Sequence, residues 1–167
     1  MEGIGVRAAT SADEPFLYRM LFYAANMALD GAVSGAEART NPTLAKYVCD
    51  WGRVDDLGVI AEDAAGVPIG AAWLRVLRGA ENNHPQLDER IPELAIAVEP
   101  AFIGQGVGTR LLAALLDAAR GVFSAVALSV RVTNPARRLY ERMGFTVIDT
   151  IVNRVGGDSW LMVYSFE

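Results

Sequence analysis

The sequence predicts a mixed α/β fold, and three observations predict it. Strand-like and helix-like apolar patterns follow one another along the whole chain. The strand pattern Glu93–Val98 runs straight into a glycine-rich turn and then a strongly apolar helix. With 167 residues, 52% of them hydrophobic and 21% charged, the chain can bury a core and fits one domain spanning 1–167.

The elements follow in order. Residues 3–9 alternate weakly and read as a first strand. Thr10 to Pro15 supplies a hydroxyl cap, acidic first-turn residues and an early proline. Apolar residues at helical spacing from Phe16 to Ala24 then predict a helix running to about Leu29, ended by Asp30-Gly31. The stretch through Asn41-Pro42 reads as a loop, and Thr43 to Trp51 as a short helix. Leu57–Ala61 and Pro68–Leu77 flank the turn-like Asp63–Gly66 and predict an antiparallel hairpin. Residues 79–90 are polar and irregular, a surface insertion. After the strand at 93–99 and the glycine turn, Leu111, Leu112, Leu115, Leu116 and Ala119 mark one helix face. Val126–Val130 is a strand, Asn134–Met143 a helix, and Phe145–Val152 and Trp160–Phe166 two closing strands. A helix between the strands at 93–99 and 126–131 predicts a parallel pairing there.

Composition excludes several classes. A formal net charge of −5 speaks against a nucleic-acid binder, which needs a basic face. The single cysteine, Cys49, rules out an intramolecular disulfide; it reads as a small buried hydrophobe or as a nucleophile. No apolar run approaches the roughly 20 residues needed to span a bilayer. The first residues resemble no signal peptide, so the expected compartment is the cytoplasm. One histidine, one cysteine and scattered carboxylates make no metal constellation.

The most informative stretch is Val98-Glu99-Pro100-Ala101-Phe102-Ile103-Gly104-Gln105-Gly106-Val107-Gly108-Thr109. Glycines let the main chain turn tightly and offer N–H groups to a bulky anion, and the helix start adds unpaired amides. Such a turn also occurs without any ligand. The spacing does not match the Gly-x-Gly-x-x-Gly of a Rossmann dinucleotide site, because the third glycine comes one residue early. A Walker loop is excluded, since no Gly-Lys-Ser/Thr opens the helix.

This segment resembles the pyrophosphate-binding motif of GNAT acetyltransferases, Gln/Arg-x-x-Gly-x-Gly/Ala, which falls on Ile103 to Gly108. Asn134-x-x-Arg137-x-Leu139-Tyr140 through Gly144-Phe145, with Ala136 inside it, resembles the second part of the family pattern. The likeness covers roughly residues 91–148. It implies the GNAT fold: a central, mostly antiparallel sheet flanked by helices on both faces and splayed near Val98 to form an acyl-CoA cleft. It implies that the amides around Ile103, Gly104, Gln105, Gly106, Val107, Gly108 and Thr109 hold the diphosphate of acetyl-CoA. The main chain at Ile96 and Val98 would pair with the pantetheine arm. Ile103 departs from the pattern, standing where the family prefers Gln or Arg, and so removes one side-chain donor.

The implied reaction moves an acetyl group from acetyl-CoA directly to a primary amine of a small molecule or peptide. Such a step needs a neutral amine, a donor for the oxyanion and an acid for the departing thiolate. The resemblance puts Tyr140 in the acid's place, although Ala136, Leu139, Tyr140 and Met143 also fall on one helical face and suit a core position. It makes Glu93 the candidate base; a solvated strand-end charge is the other reading. It gives the oxyanion to the N–H of Val98. Asn134 reads as a helix cap, with cofactor contact compatible. His84 reads as an exposed loop residue or a substrate contact. Arg131, Arg137, Arg138 and Arg142 read as a solvated face or as partners for the 3′-phosphate. A CoA-binding sensor without catalysis is the rival class, and family habit allows a homodimer. The acceptor would be shaped by residues 30–43, 79–92 and 153–159, which carry no readable signature.

Overall fold

A computed structural model describes residues 3–26, 31 and 36–166. Its strands are β1 (Gly5–Ala8), β2 (Leu57–Glu62), β3 (Pro68–Arg75), β4 (Glu93–Val98), β5 (Ala125–Arg131), β6 (Thr146–Val152) and β7 (Asp158–Ser165). They form one sheet in the order β1-β2-β3-β4-β5-β7-β6. Every neighbouring pair is antiparallel except β4 and β5, which are parallel as the intervening helix requires. The helices are α1 (Glu14–Ala24), α2 (Ala36–Thr40), α3 (Pro42–Ala45), α4 (Val107–Ala119) and α5 (Arg137–Arg142).

Two apolar clusters sit on the two faces of the sheet. Alternation along the strands sends Val59, Ala72, Leu74, Leu94 and Val126 to one face, against Leu111, Leu112 and Leu115 of α4 and Tyr140 of α5. The intervening residues Ile60, Ala71, Trp73 and Ala97 meet Leu17, Met20 and Leu21 of α1, with Leu44 and Val48, on the other. The mixed α/β fold with helices on both faces is the one expected from the sequence. Among the described residues no helix is long and apolar enough to cross a membrane.

The differences lie in the short elements. α2 occupies a stretch read as loop: its five residues include one buried side chain, Ala38, too little for a periodic signal. The helix expected at 43–51 closes after Ala45 and gives way to turns. Part of the expected first helix, residues 27–29, lies outside the described residues. α5 begins at Arg137, three residues past the expected start. The Asn134 side chain accepts from the Ala136 N–H at 2.9 Å and makes a turn before the helix proper.

A buried ion pair fixes the turns after α3. Arg75, 1% exposed, donates through Nη2 to Asp56 Oδ2 at 2.7 Å and through Nε to Asp56 Oδ1 at 3.0 Å. Its Nη1 donates to the carbonyls of Lys46 at 3.1 Å and Cys49 at 2.6 Å. Bidentate geometry with four of the five N–H groups paired is what lets a guanidinium sit in a core. Replacing Asp56 by Asn leaves that cation buried without its charge partner. Urea unfolding of Asp56→Asn is expected to show a loss of about 3–5 kcal/mol; a loss below about 1 kcal/mol would show that the pair is not an anchor.

Candidate active site

β4 and β5 touch in register at one pair only, Glu93 with Ala127, next to a bond from the Ala127 N–H to the Pro92 carbonyl at 3.0 Å. Beyond that point the strands part, so the splay opens just past Glu93, and the cleft is lined along β4 from Glu93 to Ile96. The gap is a cleft of about 480 Å³. Along β4 the Glu99 N–H donates across to the Ile69 carbonyl at 2.8 Å. Antiparallel alternation therefore turns the amides of Val98 and Ile96 away from β3 and into the gap. Residue alternation puts Glu93 on the α1 side of the sheet and Ile96 on the α4 side, the side of Tyr140. Glu93, Ile96, Asn134 and Tyr140 all line the cleft.

Glu93 is buried, not a solvated strand end. Its Oε2 accepts from the Tyr47 hydroxyl at 2.6 Å and its Oε1 from the Asn83 amide at 3.0 Å. His84 Nε2 lies 3.2 Å from Oε1. Burial alone would raise the carboxyl, but the His84 imidazole, Tyr47 and Asn83 together outweigh it and hold Glu93 below the usual carboxylate range. The Tyr47 hydroxyl is pushed well up, by burial first and by the Glu93 charge second. Lys46 donates to the Glu81 carbonyl at 3.0 Å and to Asn83, tying the 79–84 segment to α3. Burial lowers Lys46, partly offset by Glu93 and Glu81.

His84 corrects the reading of residues 79–90. Most of that segment is exposed as expected, but His84 turns inward and is only 5% exposed. Tyr47 and Asn83 were not readable as site residues. They stand 46 and 10 positions from Glu93, and no local pattern links them. The Asn-rich run before His84 was visible, but its inward turn depends on Lys46 and Glu93, which the linear sequence does not place.

Tyr140 is 8% exposed and meets Phe145 edge-on, with ring centroids 6.0 Å apart. Burial pushes its hydroxyl up to about 12. It is both a core residue and a wall of the cleft. Arg137 pairs with Glu141 at 3.0 Å and lies over the Trp160 ring, while Arg131 lines the cleft. Cys49 is half-buried, its Sγ 3.7 Å from Asp50 Oδ2, and does not line the cleft.

The glycine turn lies outside the walls of this cleft, at the N-terminus of α4. Gly104 and Gly106 take φ of +83° and +82°, the left-handed region that costs other residues about 1–2 kcal/mol. Gly106 caps α4, leaving the amides of Val107, Gly108 and Thr109 without an intrahelical acceptor. A Cβ at Gly108 would come within 3.6 Å of Leu139, so α4 and α5 lie close together here. Ile103 is 68% exposed and adds no polar group. Residues 103–109 thus form an open, amide-rich turn.

The sequence model of the acetyltransferase (GNAT) family matches residues 26–145. No curated protein matches the chain in sequence. Among solved structures the fold is similar to that of a GCN5-related N-acetyltransferase from Kribbella flavida, at 25% identity over 99% of both chains with a TM-score of 0.67. It is also similar to a chimera of the Vibrio cholerae spermidine N-acetyltransferase SpeG and hSSAT, at 22% identity over 98% of this chain and 96% of that one, TM-score 0.68. The Vibrio cholerae spermidine/spermine N-acetyltransferase SpeG follows at 22% identity over 98% and 92%, TM-score 0.64. An open sheet parted between two parallel strands beside a glycine turn is the architecture these acetyltransferases share with this chain. The chain belongs to the GNAT family and is an acetyltransferase.

Because Glu93 ionises below its unfolded range, its stabilising contribution is present above the unfolded carboxyl pKa and is lost as pH falls through the folded one. Tyr47→Phe removes a donor and raises the folded value. Denaturant midpoints followed from about pH 7 to about pH 3 should then fall at higher pH in the variant than in the wild type. Superimposable acid limbs would show that Tyr47 does not hold the charge.

Proposed function

We propose that the chain, as one domain over residues 1–167, transfers the acetyl group of acetyl-CoA directly to a primary amine of a small molecule or peptide, in the cytoplasm. The observation that supports it best is the juxtaposition in one cleft of an ionised, buried Glu93 and a buried, protonated Tyr140 on opposite faces of the gap between β4 and β5. The glycine turn at 103–109 would hold the diphosphate, and the inward amides of Ile96 and Val98 the pantetheine arm. Asn134, at the cleft wall, would meet the same arm through its amide nitrogen, its oxygen already accepting from Ala136. Acetyl-CoA supplies the activated thioester.

The roles follow from the chemistry. An ammonium docks against the Glu93 carboxylate and gives up a proton, since only about one part in a few thousand of a simple amine is neutral at pH 7. The neutral amine attacks the thioester carbonyl. The Val98 N–H faces the developing oxyanion, where one such donor contributes on the order of 10²-fold in rate. A hydroxyl that titrates near 12 keeps its proton at neutral pH and can donate to the departing sulfur. A thiol titrates near 8.5, so full transfer is uphill by about 3–4 units and proceeds as the nitrogen of the tetrahedral intermediate gives up its own proton. With Cys49 outside the cleft, no thiol among the described residues offers a covalent stop for the acetyl group, and sequential kinetics are expected. A ligand sensor without turnover would need neither the buried carboxylate nor the buried tyrosine.

Calorimetry with acetyl-CoA should give one-to-one binding, with none for NAD or ATP. Gly106→Val, which forces a branched residue to φ +82°, should weaken that binding at least tenfold. Unchanged affinity would remove the glycine turn from the site. Tyr140→Phe should lower kcat about 10²-fold against the best amine of a panel containing polyamines, amino acids and peptides, with acetyl-CoA affinity within about threefold. Full turnover would end the assignment of Tyr140.

A further inference from the structure

Glu93 accounts for holding an ammonium but not for where its proton goes. On the reading above, each turnover converts R–NH3⁺ and acetyl-CoA into an amide, CoA thiol and one free proton. We propose that His84 takes up that proton from the ammonium beside Glu93 and releases it to solvent through a small chamber behind the cleft. The proposal rests on the acetyl-transfer reading and adds a catalytic group to it.

Four observations meet at His84. The side chain is 5% exposed, yet neither ring nitrogen has a hydrogen-bond partner, a state that buried polar atoms rarely keep. Nε2 lies 3.2 Å from Glu93 Oε1, close enough for an ion pair once the ring carries a proton. His84 and Glu93 together line the main cleft and also a second chamber of about 10 Å³, bounded by Asn82, Leu87, Asp88 and Ala127. That volume is about the room one water occupies. The Asp88 side chain on its far wall is 48% exposed. Cleft, carboxylate, imidazole, chamber and surface are therefore contiguous.

The division of labour follows from acid strength. A carboxylate that accepts hydrogen bonds from Tyr47 and Asn83 is a good anchor for a cation and a poor acceptor of its proton. Imidazole is the side chain whose ordinary titration brackets neutrality. Other polar groups facing the pair are Tyr47 and Lys46 from the α3 side, Asn83 and Asp88 from the 79–92 segment, and Arg131 from β5. Glu93 holds the ammonium while one of its protons passes to the imidazole. The nitrogen lone pair then forms the C–N bond, and the C–S bond breaks with its electrons on sulfur. Sulfur takes the Tyr140 proton, and the second amine proton restores Tyr140. The His84 proton leaves through the chamber, so the three ammonium protons end on the amide, the thiol and solvent.

The test is the pH dependence of His84→Gln with acetyl-CoA and a simple primary amine. At pH 7 kcat should fall roughly 10²-fold, with KM for the amine within about threefold. The deficit should close toward about pH 10, where the amine loses its proton unaided. In His84→Ala, added imidazole should restore part of the rate. A variant whose kcat and pH profile match the wild type within twofold would overturn the proposal, because a space-filling histidine predicts no change of profile. If either variant fails to fold, the wild type still decides. His84 is the only histidine, so the imidazole ¹⁵N signals belong to it alone. Signals that move as pH crosses neutrality support the role, and signals that stay fixed overturn it. Should the wild type acetylate no amine, the acetyl-transfer reading fails by itself, and the same titration still shows whether the buried imidazole takes up a proton.

Discussion

The parting of two parallel strands is the constraint on which the rest of this structure depends. β4 and β5 share one registered pair, Glu93 with Ala127, and then separate. Parallel strands are ordinarily covered and fully paired, so a gap between them leaves backbone amides to be met by something other than a strand. The gap also puts side chains from opposite faces of the sheet within one cavity. Glu93 belongs to the α1 side and Tyr140 to the α4 side, and only an opening in the sheet lets both line one wall. The turn after β4, with glycines at positive φ, follows from the same parting, because the chain must leave the sheet and start α4 within a few residues.

Placing a carboxylate at the closed end of that gap has its own cost. An ionised group so deep in the fold is tolerated only where donors replace its water. Tyr47 and Asn83 donate to it and His84 stands 3.2 Å away, and these residues come from two separate stretches of chain. Holding them requires order in segments that have little secondary structure. Lys46 ties down the 79–84 strap, and the Arg75–Asp56 pair fixes the turns that present Tyr47. A chain of polar contacts thus runs from Arg75 of β3 through Lys46 and Asn83 to Glu93.

How much of this was legible in the sequence depends on the range of the interactions. Strands with clear alternation and the leucine-rich face of α4 were readable, because their signal is local and repeated. β4 falls at Glu93–Val98 as its pattern indicated, and the hairpin of β2 and β3 forms around Asp63–Gly66. α2 was not readable, since five residues with one buried side chain give no period. Of the residues named from the family pattern, Glu93, Asn134 and Tyr140 all line the cleft, while the glycine turn lies outside its walls. The surroundings of Glu93 were not. Polar loop composition suggests exposure, and the inward turn of His84 is decided by a carboxylate nine positions later and a lysine far upstream.

The open turn at 103–109 has a bearing on how this protein tolerates change. Its donors are main-chain amides, so the chemistry offered there is written in backbone torsion and not in side-chain identity. Position 103 is exposed, which is why isoleucine can stand there, and at 105 the only tie among the described residues is a bond from the Gln105 amide to the Ala101 carbonyl. Positions 104 and 106 have no such freedom, since any side chain there works against the local torsion. The turn is therefore permissive at alternate positions and rigid between them, a pattern of latitude set by geometry before any ligand arrives.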